Sequence, residues 1–413
     1  VNLTMQMNPT LFVLADDVTG AADCAARCKS AGLPATILIE PMLIEPTMRP
    51  LPTGAVAFSS DSRFLPPAQA AERVQTLFRA LQQAASQPAD AIWYKKIDST
   101  LRGNIGAELA AMMTLTSAVK SRPCAVIAPA FPAQGRGLVD GNLVYAQATQ
   151  SLSLPKLIAE QTVLPQAAVG LATVRAGVAE LTRHFQAHYA AGTQLFVADA
   201  LTDEDLQTLY TAAQVALPQA LFCGSAGLMG VIATALVAAQ EGKPASADQP
   251  PPTIARPLLA VVGSGSVMAQ RQLMRLRQLP ALDLYQVEPD NPAKISMIAG
   301  SGDNHHCALR LPPPAANAQL DGETARQYAA TLGAAALAQI QWRRPRALLL
   351  VGGDTTFYLL HLLGITALQV EAELFPGMPL TTGLTADGQR YQIILKAGNH
   401  GDEETLATLF TWS

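Results

Sequence analysis

Three groups of polar residues stand where short apolar runs stop, and each has the residue types for handling a small anion. Leu348–Val351, four apolar residues, run into Gly352, Gly353, Asp354, Thr355 and Thr356 ahead of a helix-like apolar pattern. A buried strand that ends in paired glycines and opens a helix makes a phosphate seat. Glycine lets the backbone approach the anion, and the free N–H groups and dipole of the helix start favour negative charge. Asp354 adds a carboxylate where Mg2+ would bridge nucleotide phosphates; the plainer reading is a strand-to-helix corner. Gly263-Ser264-Gly265-Ser266 repeats the arrangement with hydroxyls as well as backbone donors, and Lys396–Gly401 closes a late strand with a further glycine turn. Neither loop matches GxxxxGKS/T or GxGxxG, which argues against the common P-loop and dinucleotide readings.

The acidic and basic groups lie earlier. Asp16 and Asp17 follow the first strand-like run, with Thr19-Gly20 opening the next helix. Adjacent carboxylates on a strand edge point to opposite sides, so one at most faces a crevice squarely. It would accept hydrogen bonds from sugar hydroxyls or take a proton from one; the alternative is helix capping. Lys95 and Lys96 sit inside a strand, which is costly unless one reaches water or an anion. Asp98, Ser99, Arg102 and Asn104 then crowd the strand exit, where a substrate carboxylate would meet charge-assisted bonds from Lys and Arg. The alternative is an edge strand with solvated lysines. Arg63, in Ser60–Arg63 at another strand end, offers a bidentate clamp or sits in a surface turn. The Ala130–Gly137 loop, with Arg136, suits a lid or a pocket wall.

The elements that must position these groups follow from the apolar pattern. Residues 10–16, 35–40, 55–60, 91–97, 125–130 and 194–200 read as strands, with helices over 21–32 and 68–85. In the second half, 258–263, 282–287 and the runs ahead of Gly352 and Gly398 read as strands, with helices near 270–278 and 326–342. The expected fold is α/β in two domains, each a mostly parallel sheet flanked by helices, with ligands beyond the C-terminal strand ends. The proline-rich segment 241–257 reads as a stiff linker between a domain over 1–240 and one over 258–413.

Composition sets the outer bounds. Of the 413 residues 49% are apolar and 15% charged, with a formal net charge of −4 and no Lys/Arg run. A nucleic-acid partner is therefore not expected, and an anion must be held by a local pocket. No apolar stretch is long enough for a membrane span, and the first ten residues lack the layout of a secretory signal. Five scattered cysteines suit a reducing cytosol, and Cys24, Cys28 and His305-His306-Cys307 read as packing and loop residues rather than metal ligands. A homodimer is the default assembly.

Together these blocks resemble the four-carbon acid sugar kinase family. The resemblance rests on Ala15–Ala21, Lys95–Asn104, Pro129–Pro132, Gly224–Leu228, Gly263–Ser266 and Gly352–Thr355, in family order across nearly the whole chain. It implies ATP-dependent phosphorylation of a tetronate at its 4-hydroxyl, with the acid sugar on the N-terminal domain, ATP on the C-terminal one and the active site in the cleft between them. By that likeness Asp16, Arg63 and Lys95 to Asp98, Ile97 included, contact substrate. Ser264 or Ser266, Gly352 to Thr355 and the Gly398–Gly401 turn contact nucleotide. The Lys95–Asn104 wording is most similar to members acting on D-threonate, with D-erythronate and 3-oxo-tetronate as alternatives. Asp16 or Asp98 would orient or deprotonate the hydroxyl, Mg2+ at Asp354 would spread the transferring charge, and domain closure would exclude water. A dinucleotide dehydrogenase and a non-catalytic sugar-acid sensor are the rival readings.

Overall fold

The computed structural model describes residues 9–39, 51–84, 92–117, 122–145, 151–241, 252–300, 306–313 and 322–412. The N-terminal eight residues, His305 and most of the expected linker (242–251) lie outside them. The chain forms two units, Val1–Ala35 with Glu40–Ala245, and Thr36–Ile39 with Ser246–Ser413.

In chain order the first half runs β1 (Pro9–Ala15), α1 (Val18–Ser30), β2 (Ala35–Leu38), β3 (Gly54–Ser59), α2 (Pro67–Ala84), β4 (Ile92–Lys96), α3 (Ile105–Ser117) and β5 (Ala125–Ala128). It continues with β6 (Gly137–Val139), β7 (Asn142–Val144), α4 (Leu154–Ala159), β8 (Gln166–Val169), α5 (Leu171–Arg175), α6 (Val178–Ala190), β9 (Leu195–Ala198), α7 (Asp203–Ala216), β10 (Leu221–Gly224) and α8 (Ala226–Glu241). The main sheet of the first unit has the order β3-β1-β4-β10-β5-β9-β8, and its pairings are parallel. Leu11, Phe12, Val13, Leu14 and Ala15 are wholly buried, as expected of a strand covered on both faces, which is why the run carries no polar alternation. Ala15 is in register with Ser59 on one side and Lys96 on the other, so β3, β1 and β4 end level. Since β1 lies between β3 and β4, both later in the chain, a crevice is expected at this point beyond their C-terminal ends.

The second half runs β11 (Leu258–Val262), α9 (Val267–Leu276), β12 (Leu282–Glu288), β13 (Asn291–Ala299), β14 (His306–Arg310), α10 (Gly322–Arg343), β15 (Ala347–Val351), α11 (Gly353–Leu362), β16 (Ala367–Phe375), β17 (Met378–Leu384), β18 (Arg390–Lys396) and α12 (Thr405–Thr411). Five strands, β12-β14-β11-β15-β18, form a parallel centre. Antiparallel β13 flanks one side and β17, β16 and β2 the other. The core packs Leu258, Ala260, Val262, Leu349, Val351 and Ile394 against α9 and α12 through Leu273, Leu406 and Leu409. Val351 is in register with Val262 and with Lys396, so the three strands that precede the glycine turns also end together. Among the described residues no helix is long and apolar enough to cross a membrane.

Candidate functional site

In the first unit, the level strand ends bring the predicted residues onto one ledge. Asp17 caps α1, accepting from the Gly20 amide at 2.7 Å and the Thr19 hydroxyl at 2.8 Å. Arg63 grips Asp16 with two nitrogens, Nε to Oδ2 at 2.7 Å and Nη2 to Oδ1 at 2.8 Å, and donates from Nη1 to Asp17 at 2.6 Å. The expected divergence of the two carboxylates does not occur. The strand ends at Ala15, so its alternation no longer governs residues 16 and 17, and one guanidinium collects both. Asn104 fixes the Arg63 loop by donating to the Ser62 and Leu65 carbonyls at 3.1 and 2.8 Å. Gly103 has φ +92°, and a Cβ there would stand 2.9 Å from Asp16 Oδ2, so the loop approaches the carboxylate as only glycine allows.

The two lysines of β4 are buried, and alternation sends them to opposite helices. Lys95 Nζ lies 2.7 Å from Glu108 of α3, and Lys96 Nζ 3.8 Å from Asp23 of α1. Neither lysine is solvated at an edge. Glu108 also accepts from Ser62, whose hydroxyl bonds Ser60 at 2.6 Å. Asp98 accepts from Arg102 Nε and Thr100 Oγ1, each at 2.5 Å. Ser99 takes a 2.6 Å bond from buried Arg136, which ties the loop that follows β5 to this strand exit. Ile97 is buried, with its amide on Gly224 and its carbonyl under Lys96. Leu101 sits at φ +63°, an unusual backbone state for a branched residue and one that concentrates at functional loops.

Charge balance decides protonation. Burial alone would raise Asp16, but Arg63, Lys95 and Lys96 outweigh it and hold the carboxyl below its ordinary value. Burial would also raise Asp98, and Arg102 and Arg63 drive it well below. Glu108 moves the other way: burial, seconded by Asp16, lifts it in spite of Lys95. The ledge thus presents ionised Asp16 and Asp98 at neutral pH, beside Arg102, whose side chain is 51% exposed.

In the second unit the glycine turns converge. A Cβ on Gly263 would fall 1.8 Å from Thr355 Oγ1, and one on Gly398 would fall 1.8 Å from Ser264 Oγ and 3.0 Å from Ser266 Oγ. Gly352, at φ +112°, lies against the Ser264 amide. Ser266 caps α9 through the Ala269 amide, whereas α11 starts at Gly352 with no side-chain cap. The start of α11 therefore leaves backbone donors for an anion. Gly353, Asp354 and Thr355 form the first turn of α11, and Gly265 lies between the two serines. Gly401 instead packs against Thr405 at the start of α12. Among the described residues no group of three or more His, Cys, Asp or Glu could hold a metal. Mg2+ needs fewer, since one or two carboxylates and substrate phosphates complete its shell, and Asp354 fits that donor set.

Sequence reasoning missed Asp23 and Glu108 and gave Arg136 and Lys396 no defined role. The signal for the first two was present. Each is a lone acid within a run of small apolar residues on a helix, a placement tolerated when a buried cation faces it. The five cysteines are buried, and none of them forms a disulfide.

Residues 11–232 match the family described as a sugar-binding N-terminal domain, and residues 259–406 the family described as a nucleotide-binding C-terminal domain. The chain is 32% identical to a D-threonate kinase of Cupriavidus necator, over 96% of each chain. It is 28% identical to a 3-oxo-tetronate kinase of the same organism, again over 96% of each. In fold it resembles a Salmonella typhimurium LT2 protein described as a putative tRNA synthase, with a TM-score of 0.70 at 22% identity, covering 97% of this chain and 98% of the other. With both domain families matched in order and full-length relatives of one chemistry, the chain belongs to the four-carbon acid sugar kinase family.

Proposed function

We propose that the protein transfers the γ-phosphoryl group of ATP to the terminal hydroxyl of a four-carbon sugar acid, with D-threonate as substrate. The observation that carries this reading is the presence in one chain of two strand-end sites of opposite character. One gathers Asp16, Asp98, Arg63 and Arg102, charges of both signs that suit a small hydroxylated anion. The other gathers three glycine turns, two of them at the starts of α9 and α11, as suits a polyphosphate. The acid sugar is accordingly assigned to the N-terminal domain and the nucleotide to the C-terminal one.

The substrate carboxylate meets Arg102 first, because that guanidinium is the exposed cation of the ledge. Arg63 braces Asp16, while Lys95 and Lys96, held by Glu108 and Asp23, supply positive field from within. Asp98 accepts from the substrate hydroxyls, and Ser99 accepts from or donates to them. Asp16, ionised and clamped, accepts the hydrogen bond of the terminal hydroxyl. That oxygen bonds to the γ-phosphorus, the bond to the β,γ-bridging oxygen breaks, and the hydroxyl proton leaves by way of the Asp16 carboxylate. The transition state of such transfers is loose, so alignment counts for more than proton removal. Mg2+ at Asp354, when bound, would neutralise phosphate charge. Buried reduced cysteines support a cytoplasmic setting.

The test is coupled ADP release with Mg-ATP across D-threonate, L-threonate, D-erythronate and 3-oxo-tetronate. The expected result is the highest kcat/KM for D-threonate. A preference for 3-oxo-tetronate would move the substrate within the family, and turnover with none of the four would overturn the reading.

A further inference from the structure

Lys396 is the last residue of β18 and has no exposed surface. Its Nζ donates to the Ala397 carbonyl at 3.1 Å and to the Gly398 carbonyl at 3.4 Å. Among the described residues no carboxylate comes within ion-pair distance of it. Lys95 and Lys96, the other buried lysines among the described residues, each face an acid, Glu108 and Asp23. An ammonium that has given up water for two carbonyl oxygens is costly to retain. The contrast points to an anion that does not belong to the chain.

The position says which anion. The carbonyls that Lys396 holds belong to the turn in which Gly398 packs on Ser264 and Ser266, and Lys396 is in register with Val351, one residue before Gly352. Across Gly263–Ser266, Gly352–Thr355 and Lys396–Gly401 there is a single Lys or Arg. We propose that Lys396 is a phosphate-binding residue of the nucleotide site, its ammonium pairing with a phosphoryl oxygen of the bound nucleoside triphosphate. The assignment rests on the nucleotide-binding role proposed for the second unit. Burial pushes the amine down to about 7, so nucleotide binding also supplies the counter-charge that the turn itself lacks.

Calorimetric titration of the full chain tests this with Mg-ATP, adenosine and D-threonate, on wild type, Lys396→Met and Lys396→Gln. Glutamine can still donate to the two carbonyls but carries no charge. Both variants are expected to bind Mg-ATP about tenfold or more weakly, with adenosine and D-threonate affinities unchanged. The Met variant should melt no lower than wild type, since an unpaired buried amine has been removed. Mg-ATP affinity within twofold of wild type in the Gln variant would overturn the assignment. A Met variant that melts several degrees lower while the Gln variant binds Mg-ATP normally would reduce the lysine to a tie between strand-end carbonyls. Wild type that binds no Mg-ATP would sink the nucleotide reading itself, and this assignment with it.

Discussion

Asp16→Asn is expected to lower kcat for ADP release with D-threonate by about 10²- to 10⁴-fold, the range for losing a positioned acid–base group. KM for Mg-ATP should change little, because the nucleotide is assigned elsewhere. Asparagine preserves the shape and can still accept one bond from Arg63, and Arg63 keeps its 2.6 Å bond to Asp17. The loss is therefore one of charge at the reacting hydroxyl rather than of scaffold. Since Arg63 holds the Asp16 carboxyl below its ordinary value, the group stays ionised throughout neutral pH. No decline in rate from this residue should appear between about pH 8 and pH 6. Turnover by the variant within a few-fold of wild type, with a normal melting profile, would remove Asp16 from the chemistry.

The second large effect concerns stability. Lys95→Met should cost about 3–5 kcal/mol in urea unfolding, because it strands the Glu108 carboxylate in a site that water does not reach. Adding Glu108→Leu should restore much of that loss, since no uncompensated charge then remains. The pH dependence has a definite sign. Glu108 is raised in the folded chain, and without Lys95 it rises further. A raised folded pKa gives stability that is present below the unfolded value near 4.3 and lost as pH rises through the folded value. The deficit of Lys95→Met relative to wild type should thus be smaller at pH 5 than at pH 8. A single variant as stable as wild type at pH 8, or a double variant no better than the single, would show that the pair is not the tie it looks to be.

How far the sequence discloses this protein depends on the range of each interaction. Leu348–Val351 running into Gly352-Gly353 is legible because strand, turn and helix start are consecutive, and local chemistry dictates them. The same holds for the first strand and Asp16-Asp17, whose cap on α1 is a contact over three residues. The Lys95–Glu108 and Lys96–Asp23 pairs were not legible. They depend on which helix covers each face of β4, which alternation alone does not fix. Nor was the grouping of Thr36–Ile39 with the second unit legible: that strand pairs with Leu368 and its neighbours, more than 300 residues on, and nothing in its own apolar run sets it apart from the strands of the first unit. The convergence of the Gly263, Gly352 and Gly398 turns was inferable from their kind but not from their spacing. It follows from β11, β15 and β18 being neighbours that end in register.

Transfer of a phosphoryl group to the terminal hydroxyl of a tetronate can be read off the phosphorus NMR spectrum of the product formed from D-threonate and Mg-ATP. A primary phosphate ester couples to two methylene protons, so a triplet is expected, accompanied by the two resonances of ADP. A doublet would mean that a secondary hydroxyl had been phosphorylated, and inorganic phosphate as the sole new signal would mean hydrolysis rather than transfer. Either result would contradict the role assigned to Asp16 and to the ledge that holds it.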